Sequence, residues 1–437
     1  MREEAGIAAG SPRARRGALR FWKALGPGLI TGAADDDPSG IATYSQAGAR
    51  FGVELAWTLL LTYPLMVAIQ AICARIGRAT GHGISGNLRA HYPGWLVQSL
   101  VLLVFAANTL NIGADLGAMA ESARLLLPRM PGWICVVVFA IVCTASQAFL
   151  QHARYVAVLK WLTLSLLAYF GTLGVVHVRW GELARDLLWP QVSGTDEFWL
   201  TVVAIFGTTI SPYLFFWQAS QEVEDTRAKP TRSPLRAAPR QAPAALARIR
   251  LDTTVGMALS NLVALAILVT SAMTLHVAGV HEISTAAQAA QALRPLAGSL
   301  ASGLFALGIV GTGLLSIPVL AGSAAYALGE ARGWEVGLSR KPRQAKAFYG
   351  AIVLATVLGA AANVAALSPV KALVWVAVIN GLVAVPVMVL IMLLGTRRAV
   401  MGQFPVSGVE AAGGWLATLV MTVAAGGLIV SWGHAGP

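Results

Sequence analysis

Gly26-Pro27-Gly28-Leu29-Ile30-Thr31-Gly32-Ala33-Ala34-Asp35-Asp36-Asp37-Pro38-Ser39-Gly40 decides how this chain folds. Three consecutive acids precede a proline and a glycine inside an otherwise apolar run, 26–48. A carboxylate at mid-bilayer costs ~2.5–3.5 kcal/mol on insertion scales, so lipid-facing acids are excluded. Starting the span after the acids leaves 38–49, too short to cross a bilayer. Pro38 removes a backbone donor and disfavours helix at Asp37. Together these residues predict an unwound segment lining a polar cavity, where irregular backbone is tolerated at membrane depth.

A second stretch has the same character. Gly207-Thr208-Thr209-Ile210-Ser211-Pro212-Tyr213 puts a glycine, three hydroxyls and a proline near the middle of another apolar run. Hydropathy gives eleven spans, approximately 26–48, 53–76, 95–125, 131–151, 155–177, 197–221, 252–278, 297–330, 346–366, 370–395 and 412–432. The interrupted spans are the first and the sixth. Transporters built from two inverted five-helix repeats carry broken helices at corresponding positions of each half and bind substrate between them. The spacing fits that scheme with the eleventh span added, so a site is expected midway through the membrane, around Asp37 and Ser211–Pro212. The repeat is inferred from hydropathy alone.

Composition agrees. The 437 residues are 56% hydrophobic and 12% charged, against about a quarter charged in soluble proteins. The ~10-residue alternating segments of a transmembrane β-barrel are not seen. The net charge of +12 does not point to nucleic acid, because the basic residues sit in loops between apolar runs. Roughly 24 fall on one side of the spans and roughly 6 on the other, so the N-terminus is expected in the cytoplasm and the C-terminus in the periplasm. Residues 1–24 form a basic cytoplasmic tail without a cleavable signal, and 25–437 a single transmembrane domain of the inner (plasma) membrane. The Pro-, Arg- and Ala-rich stretch 225–250 is expected to be a flexible cytoplasmic linker, with the seventh helix starting at its end. Cys73, Cys135 and Cys143 lie in or at the ends of apolar runs, without metal-ligand spacing, as packing residues.

If the substrate is a cation, Asp37 supplies formal charge, reinforced by Asp36 and Asp35. Unwound backbone near Ala34 and Thr208 offers carbonyl oxygens, and Ser211 a hydroxyl. All are hard oxygen donors, suited to Mg²⁺, Ca²⁺ or Mn²⁺. In the third span, Asn108, Asn111 and Asp115 share one helical face, either as a proton or cation route or as interhelical hydrogen bonds. Asn261 and Asn380 sit mid-span, as interhelical glue or on the ion route. Gln218 and Glu222, near the cytoplasmic end of the sixth span, line an inner vestibule or simply a wet helix end. Lys160 snorkels or pairs with an acid, and the small residues Gly303, Gly308, Gly311, Gly313 and Ser316 suit close helix packing. No His-Glu-x-x-His or Gly-x-Ser-x-Gly suggests an enzyme.

These residues resemble the Nramp family of proton-linked divalent-metal transporters over nearly the whole chain. Asp37-Pro38-Ser39-Gly40 is similar to that family's Asp-Pro-Gly-Asn motif, and Thr209-Ile210-Ser211-Pro212-Tyr213 to its Ala-x-Ile-Met-Pro-His motif. Asp115-Leu116-Gly117 resembles Asp-Leu-Ala-Glu, Leu320-Ala321-Gly322-Ser323 resembles Leu-Ala-Gly-Gln, and Asp252 and Asn261 fall where the seventh helix has Asp and Asn. The resemblance implies an all-α, leucine-transporter-like fold, alternating access, a metal ion as substrate and no cofactor. It also maps family metal ligands onto Asp37, Gly40 and Ser211. The departures fall in the site: Gly40 replaces Asn, Ser211 replaces Met, Tyr213 replaces His and Ala118 replaces Glu. Losing the soft thioether predicts a harder ion than the family norm, Mg²⁺ or Mn²⁺. Losing the histidine predicts weak or no obligatory proton co-transport, since tyrosine, with a reference pKa near ~10, exchanges protons poorly at pH 7. The competing expectation is a same-fold transporter for an organic cation or amino acid.

Overall fold

A computed structural model describes residues 27–149, 164–363 and 368–434. The basic tail 1–24, Lys160 and Pro437 lie outside them. The described residues form helices and loops, and eight helical stretches among them are long and apolar enough to cross a membrane. The first span is two helices, Pro27–Asp35 and Pro38–Phe51. The second is Ala56–Thr80, followed by a short helix, Ile84–His91, and the third is Gly94–Leu126. The fourth is Gly132–Phe149, and the described part of the fifth ends in Leu167–Val175. The sixth is again divided, into Asp196–Thr209 and Pro212–Arg227. Ala242–Ser271, Ala301–Arg332, Lys346–Ala362, Pro369–Thr396 and Gly408–His434 are the seventh to eleventh.

Both breaks fall at the residue before a proline. Asp37 (φ −74°, ψ 171°) and Ser211 (φ −78°, ψ 130°) are extended, because the proline ring clashes with a helical predecessor. Pro38 and Pro212 then open the next helix, where a missing N–H leaves nothing unpaired. This corrects the expectation of unwound backbone at Ala34 and Thr208. Helix continues through Asp35 and through Thr209, and the irregular segments are only Asp36–Asp37 and Ile210–Ser211.

The half-helices are seated by close backbone contact. A Cβ at Gly32 would collide with the Gly256 carbonyl of the seventh span, and one at Gly207 with Ala377 and Gly381 of the tenth. The third span packs along the eighth, where Gly313 accommodates Met119. Its polar residues Asn108, Asn111 and Asp115 are buried, while Leu103 and Leu110 face outward, as a bilayer requires.

The stretch after the sixth span is ordered, not a loose linker. The Arg78 guanidinium donates to the Ser233 carbonyl (2.5 Å) and to Gln241 Oε1 (2.7 Å). The Leu235 and Arg236 amides donate to the carbonyls of Arg78 and Ala79 at 3.1 and 3.2 Å. Leu235 is fully buried. One arginine from the second span thus organises a proline-rich segment whose composition alone suggests flexibility. The seventh helix starts at Ala242, within the stretch expected to be linker.

Candidate metal site at two helix breaks

The site forms where the two breaks face each other. Asp37 is the N-cap of Pro38–Phe51: its Oδ1 accepts from the Gly40 amide (2.7 Å) and the Ser39 hydroxyl (2.6 Å). The third span reaches its other oxygen, Asn111 Nδ2 donating to Asp37 Oδ2 at 3.3 Å. The backbone of Gly40 sits beneath Thr208: a Cβ there would lie 3.1 Å from the Thr208 hydroxyl and 3.3 Å from the Tyr44 ring. Gly40 therefore brings the first span against the sixth without contributing a side-chain ligand.

The sixth span closes on the first through Tyr213, whose hydroxyl donates to the Ala34 carbonyl at 3.0 Å. The Tyr213 carbonyl accepts from Ser323 of the eighth span at 2.7 Å. Ser211 turns its hydroxyl backward, donating to the carbonyls of Gly207 and Thr208, both at 2.8 Å. In this closed arrangement the carbonyls expected to serve as ligands, those of Ala34 and Thr208, are engaged by protein hydroxyls.

Asp35 and Asp36 point elsewhere. Ser260 of the seventh span donates to Asp35 Oδ2 (2.6 Å) and lies 3.2 Å from Asp36 Oδ1. Ser260 carries no motif, but its spacing is informative. Asp252, Gly256 and Ser260 recur every four residues, one helical face. They meet Gly28, Gly32 and the Asp35–Asp36 pair in turn; Asp252 Oδ2 accepts from the Gly28 amide at 2.7 Å. Asn261 is one residue further, about 100° around the helix. It faces the second span and donates to the Leu59 carbonyl at 3.1 Å. That is the interhelical bond expected as one of its two roles, and its Oδ1 stays buried without a partner.

On the third span, Asn108 Nδ2 donates to the Leu320 carbonyl at 3.1 Å, and Asp115 Oδ2 accepts from the Ser316 hydroxyl at 3.0 Å. Ser316 is thus a polar partner on the eighth span, not simply a small packing residue. Several buried oxygens near the breaks have no hydrogen-bond partner: Asn108 Oδ1, Asn111 Oδ1, Asp115 Oδ1 and Thr208 Oγ1. The Asn380 amide is also buried with neither polar atom paired. It neighbours Gly381, which packs on Gly207 at the sixth break. Leaving such atoms unpaired costs ~1–3 kcal/mol each, which suits a site completed by an oxygen-seeking ligand. Among the described residues no three His, Cys, Asp or Glu side chains converge. The donor set is one carboxylate with neutral oxygens.

A family model described as natural resistance-associated macrophage protein-like matches residues 28–431. The chain belongs to the Nramp family. The divalent metal cation transporter MntH of Acidiphilium cryptum is 27% identical over 398 residues, 88% of this chain and 85% of that protein. The protein of the same name from Verminephrobacter eiseniae is 27% identical over 307 residues, 69% of this chain and 67% of that protein. The Eremococcus coleocola manganese transporter, solved in complex with an aromatic bis-isothiourea substituted compound, superposes with a TM-score of 0.72 at 17% identity. It covers 100% of this chain and 91% of that one. MhsT in complex with L-phenylalanine superposes at 0.59 with 14% identity, over 93% of this chain and 97% of that one. The fold of this Nramp protein is therefore leucine-transporter-like, with its two broken helices in the first and sixth positions.

Proposed function

We propose that this Nramp protein is a secondary transporter that moves divalent metal cations across the inner membrane by alternating access, with the ion held between the two breaks and Asp37 as its charged ligand. The observation that carries this reading is the Asp37 carboxylate, buried and joined to Asn111, whose amide oxygen is itself unpaired. The names borne by the relatives, divalent metal cation transporters, support it. Thr208 Oγ1 is a further neutral oxygen beside Gly40. Ser211 and the carbonyls of Ala34 and Thr208 join when Ser211 rotates and Tyr213 releases Ala34. With no thiolate or thioether at the matched positions, the set favours hard ions, Mg²⁺ and Mn²⁺, over soft ones.

Asp115 and Asn108 lie one turn of the third span to either side of Asn111, as polar steps toward the site. The Tyr213 hydroxyl is committed to Ala34 and makes a poor proton carrier, so ion entry is driven largely by the membrane potential. At ~2.3 kcal/mol per charge per 100 mV, a divalent cation entering a negative interior gains ~4.6 kcal/mol. With the N-terminus cytoplasmic and the C-terminus periplasmic, that direction is import.

The test is uptake into proteoliposomes under an imposed potential, with Mg²⁺, Mn²⁺ and Cd²⁺ offered separately. Mg²⁺ or Mn²⁺ uptake exceeding Cd²⁺ uptake supports the reading. Uptake of an amino acid or organic cation, with none of any metal, overturns it.

A further inference from the structure

A polar cavity whose lining includes none of the residues at the two breaks lies at the end of the molecule assigned to the cytoplasm. It has a volume of about 630 Å³ and is walled by the end of the second span, the Ile84–His91 helix, the end of the sixth span, the ordered loop and the end of the eighth span. Four arginines line it, Arg89, Arg227, Arg236 and Arg340, and the first three come from three different elements. Among the described residues none of the three is in an ion pair, although two glutamates share the cavity. Glu330 is committed to backbone, accepting from the Gly83 and Gly86 amides at 3.0 Å each. Glu335 is committed to Arg340 at 2.6 Å.

The lining therefore holds four arginines against two carboxylates, with Glu330 in the field of Arg227, and the balance is positive. The His82 imidazole on the same wall registers this. Burial first, then the charges of Arg227 and Arg236, hold it below its usual range. Arg236 is fixed by donating to the Val400 carbonyl at 3.1 Å, and the Arg89 guanidinium rests over Gly333 at the C-terminal cap of the eighth span. A concave wall of positioned guanidinium groups matches a phosphate, which accepts paired, charge-assisted hydrogen bonds. A flat, solvated basic face, the usual form of the positive-inside bias, has no such enclosure.

We propose that this cavity binds a phosphate-bearing anion, either the headgroup of an anionic lipid or a soluble phosphate compound. Trp334 lines the same cavity, and Trp95 is 72% exposed just beyond the Ile84–His91 helix. Tryptophans concentrate at the membrane–water boundary, which puts the cavity within reach of both sources. An occupant would tie together the ends of the second, sixth and eighth spans.

The experiment is calorimetric titration of the full chain in neutral detergent with three probes: inorganic pyrophosphate, dioctanoyl phosphatidylglycerol, and dioctanoyl phosphatidylcholine as the zwitterionic control. We expect one or both anionic probes to bind. Arg227→Gln/Arg236→Gln should weaken that binding at least about tenfold, while Arg332→Gln/Arg343→Gln, which removes the same charge outside the cavity, should change it by less than about twofold. Pyrophosphate binding alone assigns a soluble ligand, and phosphatidylglycerol binding alone assigns a lipid headgroup. If the first double variant does not fold, Arg89→Gln, at an exposed side chain, gives the same reading. Binding of neither anionic probe, equal binding of phosphatidylcholine, or equal weakening by both double variants would overturn the proposal. None of these outcomes depends on metal transport.

Discussion

The two helix breaks share a proline and an extended residue before it, yet they use their polar side chains in opposite directions. At the first, Asp37 reaches forward and caps the helix that follows, through Ser39 and Gly40. At the sixth, Ser211 reaches backward and satisfies carbonyls of the helix that precedes, while the N-terminus of Pro212–Arg227 has no side-chain cap. The first break thus presents a carboxyl group held in place. The sixth presents carbonyls covered by one rotatable hydroxyl. In the proposed function a cation is recognised by the first and completed by the second, so the two breaks should differ in how much each side chain matters.

The largest effect is expected at Asp37. Removing the charged partner of a buried ion costs ~3–5 kcal/mol, so Asp37→Ala should reduce metal uptake by at least about a hundredfold, measured in proteoliposomes. The cap it provides is worth only ~1 kcal/mol, so the variant should still fold, with a modest drop in melting temperature. Asn111→Ala removes one hydrogen bond to Asp37 and one unpaired oxygen, at ~1–2 kcal/mol, and should raise the apparent KM about tenfold. Equal losses at the two positions would mean that the carboxylate counts for no more than Asn111.

At the sixth break, Ser211→Met should shift the Cd²⁺ to Mg²⁺ uptake ratio toward Cd²⁺ by several-fold, because a thioether favours softer ions. An unchanged ratio would place Ser211 away from the ion. The smallest effect is expected from Tyr213→Phe. It removes the hydroxyl on Ala34, a hydrogen bond of ~1 kcal/mol, and should alter uptake by no more than about fivefold. With an internal pH dye, neither the native protein nor this variant should show metal-dependent acidification. Acidification that disappears in Asp115→Asn would instead establish a proton path through the third span.

Both breaks were legible in the sequence because a proline among polar residues inside an apolar run has few explanations. Their exact positions were also legible in principle, since the residue before proline is the one forced out of helix; Ala34 and Thr208 lie too far upstream. The partners were harder to read. Asn111 meets Asp37 across 74 residues and Tyr213 meets Ala34 across 179, and no local pattern encodes such pairs. Ser260 was recoverable from its spacing of four with Asp252 and Gly256, a pattern that places Asn261 on a neighbouring face. The ordered loop after the sixth span was not recoverable from composition, because its order comes from the distant Arg78.

The most direct test of the central claim is calorimetric titration of Mg²⁺, Mn²⁺ and Cd²⁺ into the native protein and into Asp37→Asn, which keeps the side-chain shape and removes the charge. The native protein should bind Mg²⁺ or Mn²⁺ saturably and more tightly than Cd²⁺, and Asp37→Asn should lose that binding. Undiminished divalent binding by that variant would contradict the claim.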